Sequence, residues 1–296
     1  RDLHSFPTRR SSDLYSSDAK VLIAHASLLP RLEAESAALI EHIVCAGGPP
    51  PPIAGPRVHA FDVLQQPGSA EAEQPVQPWD ANYIMLTSGT TGPSKAVVCT
   101  YVQAWSGGAM AMDYFGKDDR LLANLPLFHV GGAGAVMDRL TKGGTCVLYA
   151  GFKPESFWDT VRRFNITGCC LVGAMTRFLL NQPPSSRDRD HPLRAVITVP
   201  WNQDSFAVAQ RFGIEMHTAF NMTELATPIR SQANPPVLGT CGRARPGVEC
   251  RVVDDHDFEV APGTVGELIV RTSRPWEITQ DRKSTRLNSS HLFISR

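Results

Sequence analysis

The densest phosphate-binding chemistry in the chain is the run Leu86-Thr87-Ser88-Gly89-Thr90-Thr91-Gly92-Pro93-Ser94-Lys95, which follows the apolar stretch Tyr83 to Leu86. Its glycines let a backbone approach a ligand closely, its hydroxyls and amides can donate to phosphate oxygens, and Lys95 adds a point charge. So dense a string reads as a phosphate cradle rather than a flexible Gly/Thr turn. The spacing Gly-x-x-x-x-Gly-Lys-Ser/Thr cannot be placed on it, so it is not a Walker A loop. Thr87, Ser88, Gly89, Thr90, Thr91 and Gly92 are the candidate nucleotide-binding residues, with Lys95 as a candidate catalytic charge.

A cradle of this kind needs a strand before it and a sheet around it. Strands are predicted at Val21 to Ala24, Tyr83 to Leu86, Cys146 to Tyr149, Thr167 to Val172, Ala195 to Val199 and Glu215 to Phe220. Helices are predicted at Arg31 to Val44, about Thr100 to Tyr114, Glu155 to Phe164, Met175 to Asn181 and Asp204 to Phe212. Gly47 to Pro56, with its four-proline run, and Gln65 to Pro78 read as loops. Short apolar strands alternating with helices imply an α/β fold, a mostly parallel sheet covered on both faces. After Asn234 the pattern changes to β-type segments, Glu249 to Val253 and Gly266 to Arg271, divided by Pro-Gly turns. The start of a small β-rich subdomain is expected there.

Composition sets the outer bounds. Apolar residues make up 42% of the 296 and charged residues 20%, with no apolar run long enough to span a membrane. Lys+Arg and Asp+Glu both number 29, so no basic footprint for nucleic acid or anionic lipid exists. The seven cysteines form no Cys-x-x-Cys pair, which favours a reduced, cytoplasmic setting over zinc. Both ends, Arg1 to Leu14 and Asp281 to Arg296, lack helix or strand periodicity and are rich in Arg and Ser. They resemble translated sequencing-library adapters and are set aside as non-native tails. Without them the body is mildly acidic. The expected organisation is therefore 15–236 as the α/β domain that carries the cradle, 237–280 as the β-rich subdomain, and a tail at each end.

The run from Leu86 to Lys95 resembles the phosphate loop of the adenylate-forming superfamily, which comprises acyl-CoA synthetases, peptide-synthetase adenylation domains and luciferases. Lys95-Ala96 departs from the family's usual Lys-Gly. Leu125 to Gly132, with Phe128-His129, is similar to the family's Pro-x-Phe-His segment. Phe220-Asn221-Met222-Thr223-Glu224 is similar to its Tyr-Gly-Met-Thr-Glu segment. Gly239 to Gly247 and Gly263 to Val270 resemble its later Gly-x-x-Gly and Gly-Glu-Leu stretches. The likeness covers nearly all of Tyr15 to Gln280. Met175 to Leu193 and Asp254 to Glu267 bring it closest to crotonobetaine/carnitine-CoA ligases.

The resemblance implies roles for single positions. Glu224 becomes a magnesium ligand, because a hard cation beside phosphates wants carboxylate oxygen. Its bland alternative is a solvated surface glutamate. Thr223 would donate to the α-phosphate and Phe220 would stack on adenine. Asn221, in place of Gly, tolerates unusual backbone angles. His129 would lie near the acyl pocket and the thiol channel, against the alternative of a hydrogen-bonded core histidine. Ile197 to Asn202 lacks the glycines of the family's adenine loop, which puts contacts from that loop in doubt.

The implied reaction uses ATP, Mg2+ and coenzyme A. A small carboxylic acid attacks the α-phosphorus to give acyl-AMP and pyrophosphate, and a thiol then attacks the acyl carbon. Homo-oligomerisation is left open. Fatty acid or carnitine metabolism is the implied setting. The family's ribose-binding Asp, hinge and C-terminal domain should follow Gln280, so the polypeptide as written is expected not to turn over. Two alternatives stay open: an adenylation domain that loads a carrier protein, and a non-catalytic nucleotide-binding protein.

Overall fold

The apolar runs assemble into parallel sheets in a computed structural model that describes residues 17–68, 74–87, 95–279, 282–283 and 293–295. Contacts divide the chain into two units. Among the described residues, one unit takes 17–68, 74–77, 86–87, 95–97 and 282–283, and the other takes 78–85, 98–279 and 293–295.

In the first unit, β1 (Val21–His25), β2 (His42–Ala46) and β3 (Arg57–Ala60) form a parallel sheet in the order β1-β2-β3. The predicted helix from Arg31 to Val44 is not formed. A 3-10 turn (Ala26–Arg31) and the short α1 (Ala34–Ala37) occupy its first half, and β2 takes its last residues. The Ala/Glu-rich sequence favours helix locally, but Ile43, Val44 and Cys45 are wholly buried in the middle strand of the sheet. Burying such side chains is worth roughly 1.5–3 kcal/mol each, more than helix propensity supplies. Gly47 to Pro56 is a loop, as expected.

β4 (Ala81–Thr87) and β5 (Lys95–Thr100) are neighbours in a further sheet and contribute residues to both units. The strand predicted at Tyr83 to Leu86 is therefore present and longer, while β5 went unpredicted.

The second unit is built on a five-stranded parallel sheet. Its strands β6 (Arg120–Ala123), β7 (Thr145–Leu148), β8 (Gly168–Val172), β9 (Ala195–Val199) and β10 (Glu215–His217) run in the order β10-β9-β8-β6-β7. α2 (Tyr101–Trp105) precedes β6, and between the strands lie α3 (Val130–Lys142), α4 (Phe157–Arg163), α5 (Ala174–Leu180) and α6 (Gln203–Phe212). Leu171, Val196 and Met216 from the strands close on Val161, Leu179 and Phe212 from the helices. The α/β class and mostly parallel sheet are as the alternation of the sequence implied.

Three strands of this sheet are tied together where they begin. Asp119, just before β6, accepts from Thr167 Oγ1 at 2.7 Å and from Arg194 Nη2 at 2.6 Å, residues that directly precede β8 and β9. Burial pushes the Asp119 carboxyl up, but the hydrogen bonds from Arg194, Thr167 and the Gly116 amide outweigh it and hold the group at about 2.

The single strand predicted from Glu215 to Phe220 is divided. At Thr218 the chain turns away from the parallel sheet. The Thr218 amide donates to Ser231 Oγ at 2.9 Å and its carbonyl accepts from the Ser231 amide at 2.8 Å. Beyond it, β11 (Ala219–Phe220) pairs antiparallel with β12 (Ile229–Arg230), which pairs with β13 (Arg243–Ala244). The expected β-type segments follow as β14 (Val248–Val253) and β15 (Val265–Thr272), an antiparallel pair. The terminal stretch expected to hold no regular element forms β16 (Arg282–Lys283), paired with β5, and β17 (Phe293–Ser295), paired with β15. Both are two- or three-residue pairings on open strand edges, which any extended segment can make.

Candidate nucleotide site

In the first unit, the two ends of the predicted phosphate cradle meet. Thr87, the last residue of β4, donates from Oγ1 to the carbonyl of Lys95, the first residue of β5, at 3.3 Å. The Thr87 hydroxyl proton is thus used at the base of the loop. Its oxygen keeps lone pairs but has no second proton to offer a phosphate. Ser88, Gly89, Thr90, Thr91 and Gly92 lie outside the described residues.

In the second unit, Phe220 ends β11 and Asn221, Thr223 and Glu224 lie on the segment that follows it. The chain there makes a turn closed by the Leu225 amide on the Met222 carbonyl at 3.0 Å. Glu224 sits on this turn with 7% of its surface exposed, so the solvated surface glutamate is ruled out. The turn's backbone is held from outside. The Thr223 carbonyl accepts from Gln103 Nε2 at 2.8 Å, and the Glu224 carbonyl accepts from the Thr279 amide at 2.9 Å. Phe220 is half-buried in β11, where it pairs with Ile229.

Backbone strain falls two residues beyond Glu224. Ala226 and Thr227 stand at φ of 50° and 57°, in the left-handed region. For a β-branched residue such as Thr227 this is costly and persists only where the surroundings enforce it. Asn221 is not left-handed, so its tolerance of such angles goes unused. Its side-chain amide instead donates to Thr227 Oγ1.

A small cavity of about 20 Å³ opens beside this turn, lined in part by Tyr83, Gln103, Gly107, Asn221, Thr223 and Ala226. That is room for about one water-sized group. Gly107 helps shape it, since a Cβ there would already lie 3.6 Å from Ala226.

His129 is exposed, which removes the reading of a core histidine. It is the N-cap of α3, where its Nδ1 accepts from the Gly131 amide at 3.0 Å. The next residue, Val130, lines the cavity.

The stretch that departs from the family's adenine loop is a structural corner. Trp201 is 1% exposed and donates from Nε1 to the Pro235 carbonyl at 3.0 Å. Asn202 caps α6 through Oδ1, which accepts from the Ser205 amide at 3.0 Å.

Sequence reasoning missed three residues that surround the site: Gln103, Arg245 and Glu277. Arg245 lies inside the quoted Gly239 to Gly247 stretch, yet a Gly/Pro-rich turn gave no sign that its arginine is buried. Gln103 shared the apolar face of a predicted helix, a detectable anomaly. Nothing in the pattern around Glu277 marked it.

Among the described residues no three His, Cys, Asp or Glu side chains converge to hold a metal ion. None of the seven cysteines is in a disulfide, and burial pushes Cys99 and Cys170 up to about 12, which leaves them un-ionised at neutral pH. Among the described residues no helix is long and apolar enough to cross a membrane.

Known proteins resemble this chain in sequence and in fold. The family model described as AMP-binding enzyme matches residues 5–275. The crotonobetaine/carnitine–CoA ligase of Shigella sonnei is 30% identical over 276 residues, covering 87% of this chain and 52% of that protein. The chain therefore spans about half the length of the curated relatives it matches. Among solved structures, the O-succinylbenzoate coenzyme A synthetase of Bacillus subtilis, in complex with ATP and magnesium ion, superposes with a TM-score of 0.75 at 20% identity, over 95% of this chain and 55% of that one. An anthranilate CoA ligase in complex with anthranoyl-AMP reaches a TM-score of 0.80 at 22% identity, over 96% and 56%. At such identities the superpositions speak for the fold, and the family model speaks for descent. With nearly its whole length matched, this chain belongs to the AMP-binding enzyme family of adenylate-forming proteins.

Proposed function

We propose that the chain is the nucleotide-binding part of an ATP-dependent, AMP-forming acid–thiol ligase, which joins a small carboxylic acid to AMP and then passes the acyl group to coenzyme A. The observation that carries this reading is the buried Glu224 on a turn whose backbone is fixed by Gln103 and Thr279. A carboxylate kept out of water at a rigid turn has the hardness and the fixed position that a magnesium–triphosphate complex needs. In this reading Glu224 would hold magnesium together with phosphate oxygens. Magnesium, when bound, supplies positive charge to the triphosphate.

The first step brings a carboxylate toward a polyanion. Two unit charges 4 Å apart repel by about 4 kcal/mol at an effective dielectric near 20, roughly a thousandfold in rate. Thr223 and Lys95 are assigned to offset this as a hydroxyl donor and a cation toward the phosphates. Ser88, Gly89, Thr90, Thr91 and Gly92 complete the cradle, and Phe220 with Asn221 borders the base. His129 is assigned to the acyl side on the strength of its likeness to the family's Pro-x-Phe-His segment. The likeness to crotonobetaine/carnitine–CoA ligases favours a short polar acid and coenzyme A as acceptor. Seven cysteines with no disulfide among them support a reducing compartment, the cytoplasm. The domain limits 15–236 and 237–280 belong to the same proposal.

Calorimetric titration of this chain with ATP, with and without Mg2+, tests the reading. Magnesium-dependent binding is expected, weakened roughly tenfold or more in Glu224→Gln. Binding that is indifferent to Mg2+ and to Glu224 would refute it.

A further inference from the structure

A buried charge cluster lies directly behind the strained turn. Arg245, Glu277 and Ser106 are 2%, 0% and 0% exposed. Arg245 Nη2 lies 2.9 Å from Glu277 Oε1 and donates to Ser106 Oγ at 2.6 Å, while Ser106 Oγ donates to the same Glu277 oxygen at 2.5 Å. The same edge of the Arg245 guanidinium also reaches the strained segment. Its Nε donates to the carbonyl of Thr227 at 3.0 Å, and its own amide donates to the Pro228 carbonyl at 3.0 Å. Ser106 begins a π-helical turn, Ser106–Met110, whose Gly107 packs against Ala226. Such turns concentrate at functional sites.

Burying an ion pair is not the economical way to stabilise a fold, because desolvation cancels most of the attraction. What the pair supplies here is geometry. A planar guanidinium whose Nη2 is held by a carboxylate and a hydroxyl presents Nε in a fixed direction. That direction meets the carbonyl of the one β-branched residue in the turn held at positive φ. Thr227 would otherwise relax toward the allowed region, and Thr223 and Glu224 would move with it. Glu277 also anchors the segment that continues to Thr279, whose amide holds the Glu224 carbonyl from the other side.

We infer that Arg245 and Glu277, joined through Ser106, are positioning residues that keep the Ala226–Thr227 turn in its strained form and thereby set the placement of Thr223 and Glu224. The functional weight of this inference rests on the proposed role of Glu224, but its structural content does not.

The test uses the full chain and the double variant Arg245→Met/Glu277→Gln, which removes both charges together and leaves no unpaired buried ion. Amide hydrogen exchange is followed at 222–228 and, as an internal reference, in β9. Exchange at 222–228 is expected to quicken roughly tenfold or more while β9 stays protected. The Kd for ATP with Mg2+ is expected to rise roughly tenfold with the melting midpoint little changed. Arg245→Lys keeps the charge but not the paired Nη2 and Nε contacts, and should reproduce the local loss rather than rescue it. Unchanged protection at 222–228, or a loss shared equally by β9, overturns the inference. If the unaltered chain binds no ATP while the exchange result holds, the functional reading of Glu224 fails and the positioning role stands.

Discussion

The side-chain amide of Gln103 donates to the backbone carbonyl of Thr223 at 2.8 Å, 120 residues away in sequence. A carbonyl can only accept, so this contact fixes which end of the Gln103 amide faces the turn. The residue is 2% exposed, and its own backbone amide is in turn held by the Thr100 hydroxyl that caps α2.

Gln103→Leu keeps the volume and removes the donor, leaving the Thr223 carbonyl with the weaker Cys99 thiol at 3.8 Å. The expected loss is about 1–3 kcal/mol, read from denaturant unfolding. Gln103→Glu should cost more at neutral pH, since a buried carboxylate cannot donate to a carbonyl. A Leu variant as stable as the unaltered protein would show that the contact does not hold the turn.

His129 can be separated into cap and ring chemistry. The Gly131 amide needs an acceptor at the N-cap position, and Asn provides one as well as His does. His129→Ala is expected to cost about 1 kcal/mol, and His129→Asn to recover most of it. Equal destabilisation in both variants would remove the capping role. In the whole enzyme, acyl transfer lost in the Asn variant with stability intact would locate the imidazole in the chemistry.

These two residues mark what the sequence could and could not reveal. The strands from Thr167 to Val172 and Ala195 to Val199 were legible because a both-faces-buried strand is an unbroken apolar run. The stretch from Arg31 to Val44 misled because sheet pairing, a tertiary effect, overrode local helix propensity in its second half. The break between β10 and β11 and the strand β12 were invisible because two-residue strands carry no period to detect. For the site, the Thr223-Glu224 string was readable as chemistry. Its supports, Gln103, Arg245 and Glu277, were not, because nothing local says which polar side chain will be buried and paired at long range.

Trp201 tests whether the departure from the family's adenine loop is structural. Its indole is buried and anchored on the Pro235 carbonyl. Trp201→Ala is expected to cost about 3–5 kcal/mol. Trp201→Phe keeps most of the apolar contact and gives up the hydrogen bond, so it should cost roughly 1 kcal/mol and leave ATP affinity unchanged. A Phe variant of normal stability with weakened ATP binding would instead make this corner part of the nucleotide site.

Stability should fall on mild acidification, and His217 supplies a defined share. Its ring is stacked on Tyr114, centroids 3.9 Å apart and planes within 3°. Burial lowers its pKa below the ordinary 6.5, against the opposing pull of the Ser231 backbone and the Glu215 carboxylate. His191, stacked on Trp158 at 4.6 Å, is lowered by burial in the same way. The unfolded chain therefore takes up protons first as pH falls past 6.5, and unfolding becomes easier through the window between that value and the lower folded-state pKa. Above 6.5 both states hold neutral imidazole and this contribution is complete. His217→Phe keeps the stack on Tyr114 but has nothing to titrate. Its unfolding free energy should change less between pH 7 and pH 5 than that of the unaltered protein, measured by denaturant titration at each pH. The Asp119–Arg194 pair stays intact throughout that range, since the carboxyl titrates only near 2, so it does not confound the comparison. A Phe variant with an undiminished slope would show that His217 is not held neutral.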